Sequence, residues 1–279
     1  MRTLLIRPGA VGDFILSLPA LECLRSDSTE VWCAASNVPL ARFADHAASL
    51  SSTGLDWLEL PGIEPPQPLV GRLRTFDRIV SWYGSNRAQF REAAKRLDLP
   101  ITFFSALPSV SGQHAVDFYL SQARQLVPHG GECIPRLSVP PAPRESRVVI
   151  HPFASNAAKR WPLERFLRVG EELSSDGWEV CYTAGPEESM DLAVRFENLW
   201  ELACWLSTAT LYIGNDSGIA HLAAAAGTPV LVLFGPTDPA IWAPRGDVVR
   251  VVTQMLTVTA DDVAETARAM IGSNHHSRE

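Results

Sequence analysis

Leu211-Tyr-Ile-Gly-Asn-Asp-Ser-Gly-Ile-Ala-His-Leu-Ala-Ala224 joins an apolar run to an alanine-rich run through a short polar turn. The first run is typical of a buried strand, and the alanines favour a helix directly after the turn. Small residues leave the N–H groups of the first helical turn accessible, and these groups and the helix dipole favour phosphate. Candidate phosphate-binding residues are therefore Asp216, Ser217, Gly218 and His221. Helix capping by Asp216 or Ser217, and a histidine satisfied by a nearby carbonyl, would give the same pattern.

The rest of the chain repeats this alternation of strand-like and helical segments, which implies parallel sheets with right-handed crossovers. Predicted strands are 2–7, 29–34, 77–82, 101–104, 147–151, 178–184, 210–213, 229–234 and 248–253. Predicted helices are 13–25, 87–97, 115–127, 163–175, 199–207, 217–226 and 261–271. Prolines and glycines interrupt the pattern around 128–146, as in a linker. We therefore predict two α/β domains, 1–140 and 141–279, that face a cleft, with ligands bound by the loops that follow strands.

Composition narrows the class of protein. The 279 residues are 46% hydrophobic and 20% charged, as in a globular chain with buried cores. The net charge of −7 argues against a general nucleic-acid binder. Five scattered cysteines without a CxxC pair argue against a disulfide framework and a structural zinc site. We found no secretory leader and no apolar run long enough to span a bilayer, and so expect a cytoplasmic protein.

The loop after the first predicted strand reads Arg7-Pro-Gly9-Ala-Val-Gly12-Asp13. Two glycines let the backbone turn tightly and approach a ligand. Asp13 at the helix start is either an ordinary N-terminal cap or a general base for an acceptor hydroxyl. The GxxGD spacing matches neither GxGxxG nor GxxxxGK[ST], which weighs against a dinucleotide dehydrogenase and a P-loop NTPase.

Three further loops after strands carry candidate ligand groups. Ser155, Asn156, Lys159 and Arg160 follow strand 147–151, where a hydroxyl, an amide and two cations suit a diphosphate. Thr237 follows strand 229–234 and could bind a phosphate oxygen. Glu188 follows strand 178–184 and could bind a ribose hydroxyl, as acidic residues do in other nucleotide-binding sheets. A solvated loop cation or a simple turn residue is the alternative interpretation.

Basic residues are concentrated in segment 70–96, which holds seven Lys or Arg against two Asp or Glu. Such a surface predicts an anionic partner, and Arg72, Arg74 and Arg78 are its candidate acceptor contacts. The alternative is a helix face that only meets water.

Four motifs together resemble glycosyltransferase family 9, the ADP-heptose:lipopolysaccharide heptosyltransferases. They are Leu5-Ile-Arg-Pro-Gly-Ala-Val-Gly-Asp-Phe-Ile-Leu-Ser-Leu-Pro-Ala-Leu, His151-Pro…Lys159-Arg-Trp-Pro, Gly214-Asn-Asp-Ser-Gly-Ile-Ala-His-Leu-Ala and Phe234-Gly-Pro-Thr-Asp-Pro. They occur in the family's order over nearly the whole chain. The resemblance implies a GT-B fold of two Rossmann-like domains, and inverting, metal-independent transfer of a sugar.

The resemblance also implies site roles and substrates. The donor would be an ADP-sugar, typically ADP-heptose, bound as a substrate with no cofactor. The acceptor would be an anionic glycolipid of the lipid A–Kdo type, and segment 70–96 would then either steer this acceptor or contact the inner leaflet of the inner membrane. Asp13 would be the general base, while Lys159 and Ser155 would bind the diphosphate. Asp216 would lie against the donor sugar, Glu188 would contact the ribose, and Ser217, Gly218 and His221 would surround the diphosphate.

Two departures from the family keep other functions open. The second half lacks most of a helix between Gly185 and the strand-like segment 192–196, which bears on adenine and ribose recognition. The first half has Ser81-Trp-Tyr-Gly-Ser-Asn86 where the family usually has a more acidic, apolar strand end. The alternatives are a sugar-nucleotide epimerase and a donor-binding or scaffold protein without transfer activity.

Overall fold

The computed structural model describes residues 1–108, 112–127 and 130–276. It divides into two compact units, Met1–Cys133 and Ile134–Glu279. The second unit starts slightly before residue 141 because the end of the linker packs on it. The Leu137 N–H donates to the Ala225 carbonyl at 2.8 Å, and Arg136 pairs with Asp247 at 2.7 Å. Among the described residues, no helix combines the length and apolar character needed to cross a membrane.

The first unit is a parallel sheet with helices on both faces. Its described strands lie in the order β3-β2-β1-β4-β5, all parallel. The chain leaves β1 towards β2 and later returns to its other side, so the switch point lies between β1 and β4. The elements are β1 Arg2–Arg7, α1 Val11–Cys23, β2 Ser28–Cys33, β3 His46–Ser49, α2 Gln67–Leu73, β4 Arg78–Ser81, α3 Ala88–Arg96, β5 Ile101–Phe103 and α4 Ala115–Ala123.

Apolar residues on both faces of the strands hold this sheet. Leu4 and Ile6 point towards the cluster that contains Phe90 of α3. Leu5 lies between them in sequence, points to the opposite face and is also fully buried. A strand buried on both faces reads as a continuous apolar run, which is why β1 stands out in the sequence.

The second unit repeats this architecture. Its described strands lie in the order β10-β9-β8-β6-β7, all parallel, and its switch point falls between β6 and β8. The elements are β6 Glu145–His151, α5 Leu163–Ser175, β7 Glu179–Tyr182, α6 Leu199–Ser207, β8 Ala209–Asn215, α7 Gly218–Ala225, β9 Val230–Leu233, α8 Pro239–Trp242, β10 Val249–Val252 and α9 Ala260–His276. Two parallel α/β units confirm the predicted fold class.

Every predicted strand and helix is present, with ends shifted by a few residues at most except in α9. The prediction omitted β3, α2 and α8, which are short and have weak apolar periodicity. The strand-like segment 192–196 forms an isolated bridge between Val194 and Thr183 rather than a strand of the sheet. Arg195 instead binds the carbonyls of Gly185 and Glu188 and holds the segment as a closed loop.

Candidate functional site

The switch point of the second unit carries a cluster of three polar side chains from three loops. The Lys159 ammonium lies 2.6 Å from Asp216 Oδ2, and the Thr237 hydroxyl donates to the same oxygen. The Asp216 side chain is 4% exposed and that of Lys159 is 25% exposed. The loops after β6, β8 and β9 therefore meet at one edge. Sequence reasoning selected all three residues but did not predict that they bind one another.

Asn215 explains why the Lys159 loop has a fixed position. This last residue of β8 is fully buried. Its amide oxygen accepts from the Trp161 N–H at 2.9 Å, and its amide nitrogen donates to the Pro152 carbonyl at 2.8 Å. One side chain thus fastens both ends of the loop that carries Lys159. Sequence reasoning missed this role, since Asn215 reads as one more polar turn residue.

Replacing Asn215 by Leu should lower the free energy of unfolding by about 2–5 kcal/mol, because a buried donor and a buried acceptor both lose their partners. Thermal denaturation measures the change. Asn215→Asp is the matched variant. One carboxylate oxygen still accepts from the Trp161 N–H, but the other cannot donate to the Pro152 carbonyl, so this variant should also be less stable than wild type. Wild-type stability for Asn215→Leu would show that the loop is held by other contacts.

Helix α7 presents its N-terminus beside this cluster. Ser217 is the N-cap residue by backbone position, yet its side chain makes no capping bond. Gly218 begins the helix, and His221 is buried four residues after Ser217. Gly214, just before the turn, cannot carry a side chain, because a Cβ would lie 2.5 Å from the Tyr212 hydroxyl oxygen and 2.9 Å from the His151 carbonyl. The half-buried start of α7 is a candidate anion site at this edge.

Glu188 and His151 lie together on the β7 side of the same edge. Glu188 Oε2 accepts from the Gly185 N–H at 2.6 Å and lies 3.9 Å from His151 Nε2. His151 Nδ1 is 3.0 Å from the Thr183 carbonyl oxygen. Burial lowers the pKa of His151, and the Glu188 charge opposes that shift. Ser155 is exposed on the loop after β6.

The switch point of the first unit carries Asp13. Helix α1 begins at Val11, and Asp13 is its third residue, so the N-cap is Ala10. Asp13 Oδ2 accepts from the Ala10 N–H at 3.3 Å, while Oδ1 has no hydrogen-bond partner within the described chain. Gly9 has φ +112°, and a Cβ there would lie 3.1 Å from Asp13 Oδ2. Gly12 lies inside the helix, between Val11 and Asp13. Oδ2 thus stabilises the helix start, and Oδ1 is a candidate proton acceptor.

Arg7, which sequence reasoning passed over, fixes the backbone around Asp13. It is 1% exposed. Its guanidinium donates to the Pro8 and Asp13 carbonyls at 2.9 Å each and to the Ser17 hydroxyl at 3.0 Å. It also lies over the Tyr119 ring, 4.6 Å from the centroid. In the sequence, this network is indicated by a charged residue, Arg7, at the end of an otherwise apolar strand.

The three arginines predicted to bind the acceptor already have partners. Arg72 pairs with Glu30 and lies over the Trp32 ring. Arg74 donates to the Leu97 carbonyl at 3.1 Å, and Arg78 donates to the Leu24 carbonyl at 2.7 Å.

Their position also differs from that of Asp13. Arg78 begins β4 and pairs in register with Thr3, whereas the Asp13 loop follows Arg7 at the other end of β1. The four-residue step along β1 from Thr3 to Arg7 separates the position of Arg78 from the start of the Asp13 loop by about 13 Å. Burial also lowers the pKa of Arg78. The structure therefore gives no support to a shared acceptor site for these arginines and Asp13.

Groups of three or more His, Cys, Asp or Glu side chains placed to hold a metal ion do not occur among the residues that the structure describes.

Comparison with known proteins places this chain in a family. The family model "Glycosyltransferase family 9 (heptosyltransferase)" matches residues 130–269. Lipopolysaccharide heptosyltransferase 3 of Escherichia coli is 36% identical over a region that covers 36% of this chain and 34% of that protein. The chain therefore matches about a third of the length of such curated relatives.

Solved structures extend the likeness in fold to the whole chain. E. coli ADP-heptose lipopolysaccharide heptosyltransferase II has a TM-score of 0.76 at 18% identity and covers 99% of this chain and 100% of its own. An E. coli heptosyltransferase solved with ADP has a TM-score of 0.69 at 16% identity, covering 97% and 100%. These structures confirm the predicted GT-B fold. With half of its sequence matched by the family model, the chain belongs to glycosyltransferase family 9.

Proposed function

We propose that the chain is an inverting, metal-independent glycosyltransferase that moves heptose, or a related sugar, from an ADP-sugar to a hydroxyl of a lipopolysaccharide-core-type acceptor. The observation that carries the proposal is the contact between Lys159 and Asp216 beside the start of α7. Membership of family 9 supports the reaction class, and a structural neighbour solved with ADP supports the nucleotide.

On the donor side, the diphosphate binds at the N-terminus of α7, where the Ser217 hydroxyl is not used for capping. Lys159 turns from Asp216 to a phosphate oxygen, and His221 lines the same turn. Asp216 then accepts from a hydroxyl of the donor sugar, while Thr237 keeps its carboxylate in place. Lys159 and the helix dipole supply the positive potential that the departing diphosphate needs, so the reaction requires no metal.

On the acceptor side, the free oxygen of Asp13 accepts the proton of the acceptor hydroxyl. As the proton moves to Asp13, the hydroxyl oxygen of the acceptor attacks the anomeric carbon from the face opposite the diphosphate. The bond between the anomeric carbon and the phosphate oxygen breaks, and ADP leaves with the electron pair. One displacement of this kind inverts the anomeric configuration.

We infer a cytoplasmic enzyme whose acceptor is an anionic glycolipid, with peripheral contact to the inner leaflet. The support is the family assignment and the heptosyltransferase names of the relatives.

Incubation of the full chain with ADP-heptose, with and without a lipid A–Kdo acceptor, tests the proposal. Transfer predicts release of ADP and a glycosylated lipid only when the acceptor is present. Conversion of the donor to another sugar nucleotide without acceptor would indicate an epimerase. Binding of ADP-heptose with no turnover in either mixture would indicate a donor-binding or scaffold protein.

Arg7→Lys should lower kcat by up to about 100-fold, because lysine cannot hold the Pro8 and Asp13 carbonyls together and a displacement near 1 Å has this effect. Affinity for ADP should stay at the wild-type value, since the proposed donor site lies in the other unit. Initial rates and calorimetric titration measure the two quantities. Arg25→Lys, at an exposed position of the same unit, is the control. Equal loss of ADP affinity and rate would contradict this role.

A further inference from the structure

His151 is a buried titratable side chain that the proposed mechanism does not use. It ends β6, next to the switch point, and is in register with Gly214 of β8. Its ring nevertheless lies towards the opposite neighbour, where Nδ1 meets the Thr183 carbonyl and Nε2 lies 3.9 Å from Glu188 Oε2. His151 and Glu188 thus form a second polar group on the β7 side of the Lys159 cluster.

The hydrogen bond to Thr183 settles which nitrogen carries the proton. A carbonyl oxygen can only accept, so Nδ1 is the donor over the 3.0 Å contact. Burial lowers the pKa of His151, which keeps the ring neutral near pH 7. In this tautomer Nε2 has a lone pair and acts as an acceptor.

Two acceptors then lie side by side without satisfying each other. His151 Nε2 has no hydrogen-bond partner among the described residues, and Glu188 Oε1 is equally free there. Glu188 Oε2 is already used by the Gly185 N–H. A group that supplies two adjacent donors would satisfy both side chains.

A vicinal diol has this arrangement of donors, and a metal ion fits the site less well. The described residues place no third His, Cys, Asp or Glu with this pair, whereas protein metal sites generally draw on at least three such ligands. In other doubly wound sheets, an acidic residue beyond a neighbouring strand accepts from a ribose hydroxyl. Glu188 occupies the corresponding place beyond β7.

We propose that His151 Nε2 and the Glu188 carboxylate together accept the two hydroxyls of a ribose, so that His151 is a specificity-determining residue for ribonucleotides. The inference rests on the proposed function, because it takes the ligand to be the nucleotide of the donor. It adds a residue whose role the family-like motifs do not assign.

Titration of the full chain with ADP, 2′-deoxy-ADP and 3′-deoxy-ADP tests this inference. Wild type should bind one of the two deoxynucleotides about threefold to tenfold more weakly than ADP, because that nucleotide lacks the hydroxyl that donates to His151 Nε2. The other deoxynucleotide lacks the hydroxyl that donates to Glu188. Its affinity should fall by at least as much, since the acceptor there is a carboxylate.

Two substitutions separate the nitrogens of His151. In His151→Asn the amide nitrogen replaces Nδ1 and keeps the bond to Thr183, but the acceptor at Nε2 is gone. This variant should bind ADP about threefold to tenfold more weakly, yet bind the deoxynucleotide that lacks the matching hydroxyl as wild type does. His151→Gln places an amide oxygen near Nε2 and should retain the preference for ADP. Melting temperatures show whether each variant is folded.

Three outcomes would overturn the inference. Equal wild-type affinity for ADP and both deoxynucleotides would contradict binding of the ribose diol by His151 and Glu188, without contradicting the proposed transfer reaction. An equal loss for all three ligands in His151→Asn would make His151 purely structural. Absence of ADP binding to wild type would overturn the proposed donor as well. If His151→Asn does not fold, the wild-type comparison and His151→Gln still decide the matter.

Discussion

Asp13→Asn should lower kcat by about 100-fold to 10,000-fold while ADP affinity stays within about twofold of wild type. The amide has the size of the carboxylate but cannot accept the proton of the acceptor hydroxyl. Asp13 Oδ2 is a helix-start acceptor for the Ala10 N–H, a role that the amide oxygen can keep. Initial rates with saturating donor, together with calorimetric titration of ADP, measure the two effects.

Asp13→Ala separates the structural part of this role. It removes the contact to Ala10 as well, and loss of such a cap-type bond costs about 1 kcal/mol of stability. Asp13→Asn should therefore match wild type in melting temperature, while Asp13→Ala melts slightly lower. A rate for Asp13→Asn near that of wild type would show that Asp13 only stabilises the start of α1.

Lys159→Met should weaken ADP binding by about 10-fold to 100-fold, the range for a charge-assisted hydrogen bond to phosphate. It should lower kcat by a further 100-fold or so, because the departing diphosphate loses a fixed cation. The same substitution leaves the Asp216 side chain, which is 4% exposed, with Thr237 as its remaining polar partner among the described residues. We therefore also expect a lower melting temperature. Titration, initial rates and thermal denaturation test the three effects.

Arg160→Met is the matched control for charge. Arg160 is the adjacent, exposed cation of the same loop, and its Nε donates to the Ala154 carbonyl at 2.6 Å. Both variants change the net charge equally, yet only Lys159 contacts Asp216. Similar losses of ADP affinity in the two variants would mean that loop charge in general, rather than the position of Lys159, attracts the nucleotide.

The sequence predicted much of this fold because parallel strands buried on both faces leave a strong signal. β1 and β8 are apolar runs that end in glycine-containing loops, and a largely buried, apolar helix follows each of them. The parallel direction of the strands also predicted which loops lie near one another, since the carboxyl ends of parallel strands share one edge of the sheet. Lys159, Asp216 and Thr237 are far apart in sequence but meet there.

The sequence could not predict contacts that depend on the direction of single side chains. Arg72, Arg74 and Arg78 form part of a basic run, but Glu30 and two backbone carbonyls bind them in the folded unit. Arg7 and Asn215 lie within motifs that were recognised, and only coordinates show that their polar atoms fasten the loops around Asp13 and Lys159. Hydrophobic periodicity carries no information about such polar pairings.

Amide hydrogen exchange of the full chain with and without saturating ADP tests the central claim most directly. We predict slower exchange in the presence of ADP in segments 153–160, 214–221 and 235–238, which surround the Lys159 and Asp216 contact and the start of α7. The loop at 7–13, which we propose serves the acceptor, should exchange at the same rate with ADP alone. Protection confined to the first unit, or no protection at saturating ADP, would contradict a nucleotide site at the β6–β8 switch point.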